Sequence, residues 1–455
     1  MLLEFFPIFL LYTTLGAILP AFPIDETRYL SVAWELFSRH NPILLTLNFQ
    51  PYFDKPPLLF WGISALWHIF PVSLFTARLV NILSSTIILY LLYRLAIEMG
   101  TEQKKALSLA YLAGLTLGYL AFSILTMTDM LLVLWTVLAI YIINSHQNNK
   151  MPPPVSLLTV VFSAGLLTKG PVYFLHVLPY PILLNLYKLD REKFKALGKI
   201  LLAVLFSSLI SGTWLFLASH YAGKDMFHVL THQTIGRVTH PYAHRNSVIY
   251  LIITFWAFLL PHSLIPSCLR GLYTSLREKQ LIPIYGYIIF PILFFLLSPT
   301  RQPQYLLPEL PLIVMLMYWH KTKLSPSHLK KISILSIPLL LLLVFIFSPV
   351  ITRYSLQDKK ETICKIIRKN KKVAVYGKYQ GEFNFLCRVK GPIKVITQEN
   401  ACKKWLTEHP QSPVIWTGKA PVPNLKNTEV NIIARWPYRH KRWILVFVKK
   451  IQKAS

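Results

Sequence analysis

Charge is scarce in this chain, and acid is the scarcer kind. Only 15% of the 455 residues are Asp, Glu, Lys or Arg, and 19 carboxylates stand against 48 lysines and arginines. A soluble protein carries about 25% charged residues, so the shortage argues against a soluble globule. No glycine-rich phosphate loop is present, which removes the usual nucleotide cradles. Cysteine is limited to four positions, Cys268, Cys364, Cys387 and Cys402, and their spacing fits no zinc site. No internal repeat is evident, so a solenoid is not expected. No nucleic-acid partner is expected either.

What is present is hydrocarbon. Hydrophobic residues make up 54% of the chain, and apolar runs recur from the N-terminus to about residue 350. The first, 3–22, lacks a basic flank and a cleavage site and reads as a retained helix. Others follow near 73–97, 106–124, 129–145, 155–168, 171–187, 197–218, 247–267, 282–298, 304–320 and 332–350. A spanning helix needs about 20 apolar residues, so the sequence predicts a polytopic α-helical membrane protein with about 11–13 spans. Residues 1–350 form the membrane domain, with an outer-face loop at 23–72.

Residues 351–455 change character. They hold 23 Lys and Arg against 6 Asp and Glu, which is +17 of the chain's +29. The helix-like KETICKIIRK is followed by short β-rich runs, KKVAVYG, GPIKVIT, SPVIWTG, VNIIARW and RWILVFVKK, broken by Gly, Pro and Asn. This pattern predicts a small, basic α/β soluble domain. Three of the cysteines fall within it, so at most one disulfide forms there, and only in an oxidising compartment.

Orientation follows from the short loops. With the N-terminus inside, the basic loops 98–105, 187–199, 270–279 and 321–331 lie on the cytoplasmic side. The stretch 23–57, the 124–129 turn, Lys169-Gly170-Pro171, the 219–246 loop, the 299–303 loop and the basic domain then lie outside. Unusual polar residues therefore gather on one face, although the Lys/Arg count did not use them.

The stretch Pro23–Pro57 is polar and cannot lie in hydrocarbon, where unsatisfied backbone is costly. Tyr29, Val32, Ala33, Leu36 and Phe37 recur at helical spacing, which predicts an amphipathic interfacial helix. A second is expected from Pro56-Pro57 to about Phe70, with Trp61 and Trp67 as belt residues. Asp25, Asp54 and Asp129 each have a plain structural reading as helix caps. The functional reading brings these three acids together at the outer face, where acids deprotonate a nucleophile, hold a divalent metal or stabilise charge at a sugar carbon. Arg28, Lys55, Lys169 and Arg301 supply cations at the same depth, suited to phosphate. Their alternative is snorkelling toward headgroups. His228 with His232 and His240 with His244 have a metal-compatible spacing but no third ligand spaced with them. Beyond a divalent metal, no cofactor is implied.

DETRY at 25–29, YFDKPPL at 52–58, Thr128-Asp129, TKGPV at 168–172 and PQYLLP at 303–308 follow one another in an order that resembles the GT-C membrane glycosyltransferases of the protein O-mannosyltransferase superfamily. Within it the pattern looks most like the 4-amino-4-deoxy-L-arabinose transferase group, which modifies lipid A. The resemblance implies a GT-C-like fold with interfacial helices and a periplasmic domain at 351–455, in a bacterial inner membrane. It implies a polyprenyl-phosphate-linked sugar donor, an anionic lipid or glycolipid acceptor, and inverting transfer. By the same resemblance, Asp25 and Asp129 match the family's acidic residues. Tyr52, Asp54 and Lys55 match the motif whose lysine contacts the donor phosphate, Tyr305 matches a tyrosine near that phosphate, and His244 aligns with a histidine of the same site. One position departs: Arg301-Gln302-Pro303 stands where the arabinose group carries Lys-Leu-Pro. Two other readings remain at this level. One is transfer to protein or another glycan. The other is a transporter or flippase of polyprenyl-linked sugars, a class that needs polar residues at mid-membrane.

Overall fold

Length and composition single out five helices able to cross a bilayer unaided: Leu74–Glu98, Thr128–His146, Lys195–Tyr221, Lys279–Leu297 and Pro326–Ile346. The computed structural model describes residues 2–148, 151–186, 191–233, 236, 246–320, 325–370, 372–419, 430–438 and 442–449. Two units divide the chain: Met1–Ala17 with Phe53–Leu339, and Ile18–Tyr52 with Leu340–Ser455.

In the first unit, several expected spans are broken, two of them at prolines. The run 106–124 is two helices, Gln103–Gly114 and Leu117–Ser123, bent by 72°. The run 247–267 stops at Phe258, ahead of Pro261. The run 304–320 becomes a short 3-10 turn and the helix Leu310–Met317, among Pro303, Pro308 and Pro311. Proline lacks the N–H that would continue the ladder and clashes with the preceding turn. Shorter apolar helices occupy Leu3–Ile18, Leu58–Ile69, Val155–Lys169, Val172–Leu186 and Val248–Phe258.

Burial separates the centre of this unit from its rim. The apolar window of Thr128–His146 is 78% buried, whereas those of Lys195–Tyr221 and Pro326–Ile346 are 17% and 11% buried. A helix that is apolar all round and uncovered by protein requires lipid around it. Helix Leu58–Ile69 begins where the second interfacial helix was expected. Trp67 is not a belt residue, however. It is buried, and its indole N–H donates to Thr76 Oγ1 at 3.0 Å.

The second unit holds a five-stranded sheet with the order β4-β3-β5-β7-β6. Its strands are β3 (Ala374–Tyr376), β4 (Lys394–Ile396), β5 (Val414–Lys419), β6 (Val430–Tyr438) and β7 (Arg442–Lys449), and β1 (Thr46–Leu47) and β2 (Gln50–Pro51) form a separate hairpin. β3 pairs in parallel with β4 and β5, and β7 pairs antiparallel with β5 and β6. Each strand overlaps one of the β-rich runs read from the sequence, with β5 and β6 extending one and two residues past theirs. Ala374, Ile396, Leu406, Val414, Leu445 and Phe447 form the core.

The helix Asp25–Arg39 belongs to this unit, and its polar stripe is as engaged as its apolar one. Ser31 Oγ donates to the Gly381 carbonyl and accepts from the Phe385 amide. Trp34 Nε1 donates to the Val389 carbonyl at 2.8 Å. Glu35, fully buried, accepts from the amides of Asn48 and Phe49, from Thr46 Oγ1 and from Asn384 Nδ2, all at 2.7–2.8 Å. Asn48 and Phe49 have φ of 51° and 63°, the left-handed pair that a tight two-residue hairpin demands. One carboxylate therefore fixes that turn and ties it to residue 384. A disulfide joins Cys364 to Cys387, leaving Cys402 and Cys268 as buried thiols.

Candidate active site

The first unit brings together Asp129, Lys169 and Tyr305. Asp129 sits in the first turn of Thr128–Asn148. Asn81, wholly buried, sets the approach to that turn: its Nδ2 donates to the Met127 carbonyl at 2.8 Å and also to that of Leu125. Lys169 is the last residue of Val155–Lys169, where Gly170 turns the chain with φ +74° and donates its amide to Leu166. Gly165, one turn earlier, allows the Tyr173 ring to close in, since a Cβ there would lie 2.5 Å from it.

Lys169 Nζ meets Asp129 Oδ1 at 2.7 Å, with side chains 9% and 4% exposed. The same ammonium lies 5.3 Å from the centroid of the Tyr305 ring, within cation–π range. An ammonium has three donors, so the pair leaves capacity for an incoming anion. Asp129 is therefore engaged with a cation, not with its own helix terminus.

Behind this group lies a pair that the sequence reading missed. His176 Nδ1 and Glu309 Oε1 are 2.6 Å apart, with side chains 1% and 0% exposed. Phe295 stacks on His176 and also contacts the Tyr305 ring. The other Glu309 oxygen is buried without a hydrogen-bond partner among the described residues. The available signal was an acid and a histidine inside apolar runs, which are costly there and need a partner.

The remaining candidates are placed differently. Arg301 donates from Nη1 to the Asn246 carbonyl and from Nη2 to that of Leu296, both at 2.9 Å, so its guanidinium clamps backbone. Asp54 Oδ1 accepts from Gln233 Nε2 at 3.4 Å. It does not cap Leu58–Ile69, whose N-cap position is Pro57. Lys55 follows it, half-buried. His228 and His232 share the helix Met226–Gln233 with ring centroids 6.4 Å apart. His240 and His244 lie outside the described residues. No group of three His, Cys, Asp or Glu able to hold a metal occurs among the described residues.

In the second unit, Asp25 is the first residue of its helix rather than the cap, which falls at Ile24. Its carboxylate pairs with Arg28. Arg28 Nη1 also donates to Gln380 Oε1 at 3.1 Å. Glu26 takes the terminal role, accepting from the Phe22 amide at 2.8 Å. Tyr52 is buried, and its amide donates to the Leu45 carbonyl at 2.9 Å.

The chain is similar to several known proteins over much of its length. Residues 54–216 match the family of dolichyl-phosphate-mannose-protein mannosyltransferases. An undecaprenyl phosphate-alpha-4-amino-4-deoxy-L-arabinose arabinosyl transferase of Pseudomonas fluorescens (strain Pf0-1) is 29% identical over 306 residues, 64% of this chain and 52% of that protein. A protein of Aquifex aeolicus without an assigned function is 27% identical over 71% of this chain and 72% of its own length. The chain spans about half the length of the arabinosyl transferases it matches. The crystal structure of ArnT from Cupriavidus metallidurans bound to undecaprenyl phosphate superposes with a TM-score of 0.74 at 15% identity, covering 98% of this chain and 96% of that one. Its apo form gives 0.72 at 16% identity. The chain is thus a multi-pass membrane protein with the GT-C fold. Its resemblance to the aminoarabinose transferase group holds in both sequence and architecture.

Proposed function

We propose that this chain moves a sugar from a polyprenyl-phosphate donor to an anionic acceptor, a lipid A phosphate or a similar envelope glycolipid. The reaction takes place at the periplasmic face of a bacterial inner membrane and inverts the sugar carbon. The observation that carries the reading is Lys169: a nearly buried ammonium, charge-balanced by Asp129, beside Tyr305, in a fold shared with a protein crystallised on undecaprenyl phosphate.

Polyprenyl phosphate is already a good leaving group, so its departure needs charge neutralisation more than a proton. Lys169 and Lys55 supply that charge in the first unit, with Tyr305 against the phosphate and Asp129 holding the Lys169 ammonium. Tyr52, Arg28 and His244 complete the set proposed for the donor, while Arg301 shapes its own loop. The bond from the sugar carbon to the phosphate oxygen breaks as the acceptor oxygen bonds to that carbon from the opposite face. A phosphate acceptor is anionic near neutral pH and needs no strong base. Asp25 then orients the reactants or stabilises the oxocarbenium-like carbon, and it serves as base only for a hydroxyl acceptor. Asp54 orients its neighbour Lys55.

The test is direct. Purified full-length chain, undecaprenyl-phosphate-linked aminoarabinose and lipid A are combined, and the lipid is analysed by mass spectrometry. Lipid A bearing the added sugar supports the reading. An unmodified lipid with a competent, folded chain counts against this donor–acceptor pair.

A further inference from the structure

Helix Lys360–Lys369 carries Lys360, Lys365, Arg368 and Lys369 against one acid, Glu361. Ile363 and Cys364 are buried, while Lys365, Arg368 and Lys369 are exposed. All of these except Ile363 line an open surface pocket of about 410 Å³, with Leu386 as an apolar wall. That volume falls within the range of small-molecule sites. The Cys364–Cys387 disulfide pins the helix to the segment that carries Leu386.

Four cations in this pocket face one carboxylate, Glu361. None of the four cations is within ion-pairing distance of a carboxylate among the described residues. Arg368 Nη2 makes one hydrogen bond, at 3.2 Å, to the Cys387 carbonyl, so other guanidinium donors remain. Arg388 lies outside the lining, with its guanidinium over the Phe385 and Trp34 rings, but near enough to feel the charge of Arg368. Burial pushes the Arg388 guanidinium down to about 10, and the like charge of Arg368 adds to the effect. An anion seated among these groups would relieve that repulsion. Bidentate guanidinium and lysine donors suit phosphate oxygens, and a small apolar wall suits the glycerol or acyl end of an amphiphile. Position along the chain indicates the source: the lysine-rich helix follows shortly after the apolar helix Pro326–Ile346 and the short helix Ser348–Tyr354. Basic segments beside a span are drawn to anionic headgroups.

We propose that this pocket binds the phosphate of an anionic lipid headgroup, as a site separate from the residues assigned to transfer. The proposal stands whether or not the chain transfers a sugar, because its test measures binding alone.

Full-length chain in neutral detergent is titrated with dihexanoyl phosphatidic acid and, separately, with inorganic pyrophosphate. One variant is Lys365→Gln with Lys369→Gln. A control, Lys390→Gln with Lys394→Gln, makes the same charge change at exposed lysines outside the pocket. Thermal unfolding confirms that both remain folded. The expected result is that phosphatidic acid binds more tightly than pyrophosphate and that the pocket variant weakens it roughly thirtyfold, at about 1 kcal/mol per lysine, with the control unchanged. Equal losses in both variants would overturn the site. Pyrophosphate binding as tightly as the lipid would overturn the lipid assignment and point to a free phosphate compound.

Discussion

Lys169 closes one helix, Asp129 opens another, and their side chains meet at 2.7 Å almost out of contact with solvent. Forty residues of chain separate them. Each stands at the end of its helix that suits its charge, yet each side chain's charge meets the other's, Asp129's carboxylate facing the ammonium. Breaking one half of such a pair leaves an uncompensated charge and costs about 3–5 kcal/mol. Asp129→Asn and Lys169→Met are each expected to lower both stability and transfer. Together, Asp129→Leu with Lys169→Met removes both charges, and unfolding should return to within about 1–2 kcal/mol of the parent while transfer stays lost. Recovery of transfer along with stability would reduce the pair to a structural role.

Glu35 gives the second unit a pH dependence. Burial pushes its carboxyl above the ordinary value and outweighs the four hydrogen bonds it accepts. The folded form therefore holds the proton more tightly than the unfolded chain, whose glutamate titrates near about 4.3. The resulting stability is fully present below that value and is lost as pH rises through the folded value. Melting temperature measured from acid toward neutral pH should fall more steeply for the parent than for Glu35→Gln. Identical slopes would remove Glu35 from the account.

The disulfide assigns three cysteines at once. Alkylation followed by mass spectrometry should find Cys364 joined to Cys387, with Cys402 modified only after unfolding. Replacing both bridged cysteines by serine should cost about 3 kcal/mol, from a loop separation of 23 residues. The bridge formed in growing cells would support a periplasmic position for this unit, because disulfides persist in oxidising compartments. A fully reduced pair would oppose it.

Arg301 separates clamp from ligand. Its guanidinium bonds the carbonyls of Asn246 and Leu296, a fork that lysine cannot reproduce. Arg301→Lys should lower stability by about 1–2 kcal/mol through lost backbone bonds and change the KM for donor less than Lys169→Met does. A large KM increase with unchanged unfolding would make Arg301 a direct phosphate ligand.

Much of this was readable in advance because bilayer and sheet impose simple patterns. Apolar runs marked the apolar helices, but only five of the described helices, or six with the bent pair, are long enough to cross a bilayer unaided, against the 11–13 spans expected; the β-rich runs fell on the five strands β3–β7. TKGPV and PQYLLP pointed to Lys169 and Tyr305, which meet in the structure. The helix Asp25–Arg39 was read from its apolar stripe alone. Ser31 and Glu35 looked like an exposed polar face, yet they bond Gly381, Phe385 and Asn384, some 350 residues away, and no local pattern carries that pairing. The cap readings of Asp25 and Asp54 failed because residue type fits a cap regardless of whether the backbone places it there. His176 and Glu309 went unread because each is one polar residue in an apolar run, and only tertiary packing makes them partners.

The most direct measurement is single-turnover transfer from undecaprenyl-phosphate-linked aminoarabinose to lipid A by the purified chain, parent beside Lys169→Met and Asp25→Asn. The account predicts sugar-bearing lipid A from the parent and a loss of at least about a hundredfold in each variant, with both variants folded. A parent that leaves lipid A unmodified, or variants that match it, would contradict the account.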